Sequence, residues 1–208
     1  MRQLLAIVLI LPLLVGCAPT TFTYYKPVGP GGYFKSCGGG PDNSLGFKVT
    51  EGLGVMIHTG ASSGEWGDPV GQLDNVSISF HLGAAHTLLL TSPNFELLTT
   101  TSKISISVSE VTRIDNIQKP DKKWIQKLEK FPILSELRGG LLPKGFRSVL
   151  FKDFQNWQAY RLTLPVSQRD AGDFAVRFPS ALLDGKPIEI PDVRFEYGKY
   201  LHIRTLGC

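Results

Sequence analysis

The sequence contains few cysteines and histidines, and their spacing matches no common metal or redox motif. It has three cysteines and four histidines among 208 residues, with no C-x-x-C and no H-E-x-x-H pattern. Zinc sites and dithiol redox sites are commonly built from ligands at such spacings. His81 and His86 are the closest histidine pair, and their separation is typical of two surface residues that flank a turn. The sequence therefore predicts neither a metal site nor a cofactor.

The chain also lacks a concentration of charge of either sign. Charged residues make up 19% of the sequence and the formal net charge is +4, without long basic runs. A surface that binds nucleic acid normally shows a clustered basic face, so no nucleic-acid partner is predicted. Residues 38–40 are three glycines, but no Gly-Lys-Ser/Thr follows them, which excludes a phosphate-binding loop of that type.

The longest apolar run lies at the N-terminus and is too short to span a bilayer, which needs about 20 residues. A short positive segment at residues 1–3 precedes an uncharged apolar run at residues 4–15. The tetrapeptide that ends this run, Leu14-Val15-Gly16-Cys17, resembles the lipobox of bacterial lipoproteins. The alternative is an ordinary secretory signal with a coincidental cysteine.

The lipobox resemblance implies a location for the protein. Residues 1–16 would be a signal peptide that is cleaved before Cys17, whose thiol would carry a diacylglyceryl group as the membrane anchor. Ala18 stands where lipoproteins retained in the inner membrane usually carry aspartate. In a Gram-negative cell this implies an outer-membrane lipoprotein that faces the periplasm or the cell surface.

Two cysteines remain if Cys17 is lipidated, and we expect them to form a disulfide. An even number of thiols in an oxidising compartment favours a bridge, here between Cys37 and Cys208. The bridge would join the C-terminal residue to the start of the folded domain. The chain-entropy model gives about 5 kcal/mol as an upper bound for its stabilisation.

The mature chain divides into two parts by composition. Residues 17–45 are rich in glycine, proline and threonine and predict a lipid-anchored tether, although their aromatic residues leave open that part of it packs on the domain or on a partner. Residues 46–208 predict a single β domain. Period-two alternation at residues 76–82 and 104–109 is typical of half-buried strands. Further strands are expected at residues 47–59, 87–90, 160–164, 174–178, 193–197 and 201–204, with a tight turn at Asp184-Gly185.

Short, regularly spaced strands predict an antiparallel two-sheet β-sandwich, immunoglobulin-like or jelly-roll-like, with one short helical insertion. The helix is expected at residues 121–131, where Trp124, Leu128 and Phe131 follow helical spacing and Pro132 ends the segment. We expect this helix to close one open end of the sandwich.

The glycine-rich segment 60–71 is the candidate binding loop. Glu65, Trp66 and Asp68 combine an aromatic platform with polar groups, and loops on sandwiches commonly carry recognition. Residues 60–64 also match G-x-S-x-G, but the glycines and proline that follow disfavour the helix that a nucleophile elbow needs. No catalytic residue is therefore predicted.

The predicted function is a non-catalytic binding or assembly module, lipid-anchored in the envelope, with an envelope protein or the cell wall as its partner. One alternative is an envelope hydrolase or carbohydrate-active enzyme that uses loop 60–71. A second alternative is a structural accessory subunit of an envelope complex, docking through the helix at 121–131 or the aromatic tether.

Overall fold

The computed structural model describes residues 20–34, 44–59, 73–118, 124–142, 154, 156–168 and 172–202, and it is mainly β. These residues form sixteen strands and contain no helix. Accordingly, they include no helix with the length and apolar character that a membrane span requires.

The strands follow one another along the chain with short connections wherever the intervening residues are described. They are β1 (Thr20–Val28), β2 (Gly32–Phe34), β3 (Ser44–Thr50), β4 (Leu53–Thr59), β5 (Leu73–Leu82), β6 (Thr87–Leu90), β7 (Asn94–Thr99), β8 (Lys103–Ser107), β9 (Glu110–Gln118), β10 (Trp124–Pro132), β11 (Leu137–Arg138), β12 (Gln158–Gln168), β13 (Phe174–Arg177), β14 (Ala181–Leu183), β15 (Lys186–Ile188) and β16 (Val193–His202).

The strands form three antiparallel sheets. Sheet A has the order β1-β16-β13-β7-β8, sheet B the order β10-β9-β12-β5-β4-β3-β2, and sheet C the order β11-β6-β14-β15. The mainly antiparallel β class that the sequence predicts is therefore confirmed. The turn at Asp184-Gly185 is confirmed as well, because both residues have positive φ, 52° and 75°, and connect β14 to β15.

One hydrophobic core joins the sheets. Phe80 of β5 and Phe95 of β7 are fully buried, and the ring of Phe178 lies between them, with centroid distances of 6.3 and 6.0 Å. Because β5 belongs to sheet B and β7 to sheet A, Phe178 connects the inner faces of both. Burial of each such side chain contributes about 1.5–3 kcal/mol, so this contact holds the two sheets together.

Three predicted strands have different limits in the structure. The segment 47–59 is part of a hairpin, β3 and β4, which turns at Glu51-Gly52. Conversely, the strand expected at 193–197 and the first two residues of the one expected at 201–204 belong to one continuous strand, β16, and residues 203–204 lie outside the described ranges.

The helix predicted at residues 121–131 is wrong. Residues 124–132 form β10, which pairs with β9 over nine rungs from Trp124↔Gln118 to Pro132↔Glu110, and residues 119–123 lie outside the described ranges. The physical reason is that a helix of this length is marginal without a packed face, whereas β9 offers a free edge. Arg113 and Glu129 lie opposite each other in this ladder and form an ion pair at 3.1 Å.

Part of the expected tether belongs to sheet A. β1 pairs with β16 from Thr20↔His202 to Val28↔Arg194. Tyr25 is only 8% exposed, and its ring centroid lies 5.4 Å from that of Phe174. Burying this aromatic residue offsets the entropy of ordering the segment, so residues 20–28 pack on the domain.

Candidate functional site

The six site residues that the sequence predicts all lie outside the described residues. They are the lipidation site Cys17, the disulfide pair Cys37 and Cys208, and the binding residues Glu65, Trp66 and Asp68. Their roles stay predictions, and the candidate site among the described residues consists of other side chains.

The outer face of sheet B, the side turned away from the core, carries a row of polar side chains across four neighbouring strands. Register places Lys130, Thr112, Arg161 and Ser79 side by side on strands β10, β9, β12 and β5. On β12, Arg161 alternates with the buried Leu162, because successive side chains of a strand point to opposite faces. Ser79 is only 2% exposed, so the accessible part of the row consists of Lys130, Thr112 and Arg161.

A groove of about 420 Å³ opens on this outer face, over β9, β10 and β12. Lys130 binds Glu110 within it, with 2.5 Å between Nζ and Oε1. Arg161 is exposed and forms no ion pair with any other described residue. A guanidinium group with free donors beside an open groove can bind an oxyanion by donating two parallel hydrogen bonds to it. The groove is lined by Ser107, Val108, Ser109, Glu110, Thr112, Ile114, Leu128, Lys130, Arg161, Leu162 and Thr163.

The groove has an apolar end next to its cationic residues. Leu128 of β10 is 61% exposed and stands directly opposite Ile114 of β9. An exposed leucine by itself is ordinary, but this one borders the same groove as Arg161 and Lys130. The groove therefore offers adjoining contacts for an acidic group and for an apolar group.

His81 lies near this groove, on the same face of sheet B, and packs against an aromatic ring. Its two ring nitrogens are buried and have no hydrogen-bond partner among the described residues, and its ring centroid lies 5.2 Å from that of Phe154. Trp157 in turn packs on Phe154, at 6.0 Å. Burial, and secondarily the positive charge of Arg161, lower the pKa of His81 to about 4.

The sequence pattern correctly places His81 on the polar side of β5 but does not predict its burial. Phe154 covers it from a segment more than 70 residues away, and Gly54 lies opposite His81 on β4. A Cβ atom at Gly54 would come within 2.6 Å of the Phe154 ring. Because glycine has no side chain, position 54 leaves room for the Phe154 ring. Only the three-dimensional structure brings these residues together.

A serine and a histidine form a hydrogen bond on the same face of sheet B. Ser44 and His58 are opposite each other on β3 and β4, with 2.7 Å between Oγ and Nδ1. A hydroxyl group beside an imidazole supplies two of the groups that nucleophilic catalysis uses. The pair was not predicted from the sequence, because Ser44 falls in the expected tether (residues 17–45) and His58 in a single expected strand (residues 47–59), whereas β3 and β4 form a hairpin.

His86 has a different role, at the connection between β5 and β6. Its Nδ1 lies 2.8 Å from Oδ2 of Asp184, and Oδ1 of Asp184 accepts the amide hydrogen of Thr87 at 2.8 Å. The imidazole hydrogen bond and the Thr87 amide both lower the pKa of Asp184. The pair fastens the β14–β15 turn to the start of β6. No group of three or more potential metal ligands occurs among the described residues.

Comparison with known proteins gives no match of any kind. No family model matches the chain, no curated protein is similar to it, and no solved structure matches it.

Proposed function

We propose that this protein is a non-catalytic binding or assembly module of a bacterial envelope, held at the outer membrane by lipid on Cys17. The anchor is supported by the lipobox-like sequence Leu14–Cys17. The binding role is supported by one observation, the outer-face groove whose lining includes the exposed Leu128 and an Arg161 that forms no ion pair with any other described residue. Such a surface offers directional charge recognition and apolar burial at one place.

The proposal includes a two-sheet sandwich, immunoglobulin-like or jelly-roll-like, as the architecture of the domain. Its support is the single core to which sheets A and B both contribute, with Phe178 between Phe80 and Phe95. In this arrangement the outer face of sheet B is turned away from the core and can receive a partner.

Site-specific photo-cross-linking in native envelopes tests the binding role. A benzoylphenylalanine introduced in place of Leu128 should form a discrete adduct, because this side chain borders the groove. The matched control is the same probe in place of Ile104, which is 44% exposed on β8 of sheet A. Arg161→Glu should abolish the adduct at position 128. Equal adducts at both positions, or none at 128, would contradict the proposal.

A hydrolase is the second candidate, and the Ser44–His58 hydrogen bond is the observation that favours it. If Ser44 is a nucleophile, a fluorophosphonate probe should label the full chain, and Ser44→Ala should remove the label. Ser105→Ala, an exposed serine on β8, is the control and should label normally. Absence of labelling in the unmodified protein would rule out this serine-hydrolase mechanism and leave the binding module.

A further inference from the structure

We infer, on the basis of the proposed binding function, that the outer-face groove takes an extended peptide segment in which an acidic and an apolar residue lie two positions apart, on the same face of the segment. The acidic group would bind Arg161, and the apolar side chain would contact Leu128 and Ile114.

Arg161 is the residue of the groove best suited to hold a carboxylate. It is exposed and unpaired among the described residues, whereas Lys130 is already bound to Glu110. Arg161 lies opposite Thr112 of β9 and is two residues from Thr163 on its own strand, and both threonines line the groove. Their hydroxyl groups can donate further hydrogen bonds to a bound oxyanion, and hydrogen bonds to a charged group are among the stronger ones.

The arrangement of strands determines how the two contacts are spaced. Lys130 and Leu128 are two residues apart on β10, so their side chains lie on the same face. Arg161 lies two strands away from Lys130, across Thr112. Strands are separated by about 4.8 Å, so the charged and apolar contacts fall within reach of long side chains that lie two residues apart on one face of an extended chain.

The lining also favours a peptide over an acidic glycan. Protein sites for sugars often use an aromatic ring as a stacking platform, since aromatic faces combine apolar area with a defined geometry. None of the described lining residues of this groove is aromatic, and its apolar contact surface comes from the exposed side chain of Leu128, which stands opposite the largely buried Ile114. An aliphatic contact near a cation matches a peptide in which an apolar and an acidic residue share one face.

Binding of a defined peptide to the full chain in detergent tests this inference. The probe is a fluorescent octapeptide, Ser-Glu-Ser-Leu-Ser-Glu-Ser-Leu, in which glutamate and leucine lie two positions apart and share one face of the extended chain. Its binding is measured by anisotropy, and the version with serine in place of both glutamates is the control ligand. Arg161→Gln should weaken binding about tenfold or more, the cost of one charge-assisted hydrogen-bonded contact. Rising salt should weaken binding further, because the groove is open to solvent.

Two substitutions outside the groove serve as controls. Lys48→Gln removes an exposed cation on β3, and Arg194→Gln removes one on β16, where Arg194 is bound to Glu196. Both variants should bind the peptide as the unmodified chain does. An effect of Arg194→Gln equal to that of Arg161→Gln would show nonspecific charge attraction and overturn the inference.

The same assay separates failure of the ligand class from failure of the binding function. If a polygalacturonate oligomer binds through Arg161 and the peptide does not, the peptide assignment is wrong. Binding of neither probe also overturns it. In both cases, a cross-link from the probe at position 128 that Arg161→Glu abolishes would leave the proposed binding function intact. If that cross-link is absent, the binding function and the peptide assignment are both wrong.

Discussion

Single residues of the outer face of sheet B owe their properties to neighbours that are remote in the chain. The alternation of β5 places His81 on the polar face of the strand, yet the Phe154 ring covers it. Both of its ring nitrogens lack hydrogen-bond partners in the described part of the chain. Its charged form is therefore unfavourable in the folded protein, and the nearby Arg161 adds repulsion. A buried imidazole of this kind links stability to pH.

We expect acidification to destabilise the protein through His81. The pKa of His81 is about 4 in the folded state, against an ordinary 6.5. Between these values the unfolded chain binds a proton that the folded chain does not, so stability is lost as pH falls from 6.5 to 4. The loss approaches about 3 kcal/mol, since each pKa unit corresponds to about 1.36 kcal/mol.

Urea unfolding at pH 7.5 and pH 4 measures this loss, and His81→Leu provides the comparison. Carboxylates also titrate over this range, so the informative quantity is the difference in pH dependence between the two proteins. The variant should lose less stability on acidification than the unmodified chain. An identical pH dependence in both would contradict the assignment to His81.

Gly54 provides a test of how closely the Phe154 ring packs on sheet B. Gly54→Ala places a methyl group 2.6 Å from the Phe154 ring, so the ring must move away. We expect a loss of about 1–3 kcal/mol in the free energy of unfolding, as for other overpacked sites. Gly172→Ala is the control, because a Cβ atom there meets nothing within 4 Å, and it should not destabilise the protein. Thermal or urea unfolding decides the comparison, and equal stabilities of the two variants would refute the predicted overlap.

The element that differs most from its prediction is β10. Both faces of β10 mix apolar and charged residues, so period two is hidden and the helical spacing of Trp124, Leu128 and Phe131 dominates. What makes the strand favourable is its partner β9. Arg113 of β9 binds both Asp115 and Glu129 and lies 5.6 Å above the Phe131 ring. Sequence periodicity contains no information on this partner.

Ion pairs in the β9–β10 hairpin should differ in their contribution to stability. Arg113 is half-buried and has three partners, so Arg113→Met should lower the free energy of unfolding by about 1–3 kcal/mol. Lys130 is 68% exposed in its pair with Glu110, and Lys130→Met should change stability by less than about 1 kcal/mol. Urea unfolding of both variants measures the difference, and the reverse order would disprove that Arg113 anchors the hairpin.

At the scale of the whole molecule, the pairing of β1 with β16 joins two segments that are remote in the sequence, with Thr20 opposite His202. In the sequence, Cys17 precedes Thr20 by three residues and Cys208 follows His202 by six. Direct chemical mapping of the three cysteines distinguishes the predicted lipid anchor from the predicted disulfide.

We expect a disulfide between Cys37 and Cys208. Peptide mapping by mass spectrometry without reductant should recover this pair, and Cys208→Ser should lower the free energy of unfolding by at most about 5 kcal/mol. Linkage of Cys17 to Cys208 would contradict both the bridge and the lipid anchor, and two free thiols would contradict the bridge alone.

Lipidation of Cys17 predicts firm association with the membrane. Metabolic labelling with palmitate should mark the unmodified chain, and Cys17→Ser should lose the label and leave the detergent fraction, because multiple acyl chains supply the attachment. Cys37→Ser is the matched control and should stay labelled. Retention of the unlabelled Cys17→Ser variant in the membrane would refute the anchor.

The sequence by itself determined the antiparallel β class, the positions of about half of the strands and the Asp184-Gly185 turn, because side-chain alternation and turn chemistry act over a few neighbouring residues. It also provides the lipobox resemblance, which depends on contiguous residues. Only the tertiary structure decided that β1 and β10 join sheets, that Phe154 buries His81, and that Arg161 and Leu128 share a groove. Those outcomes depend on pairing and burial between distant segments, whose free energy arises only when the segments meet.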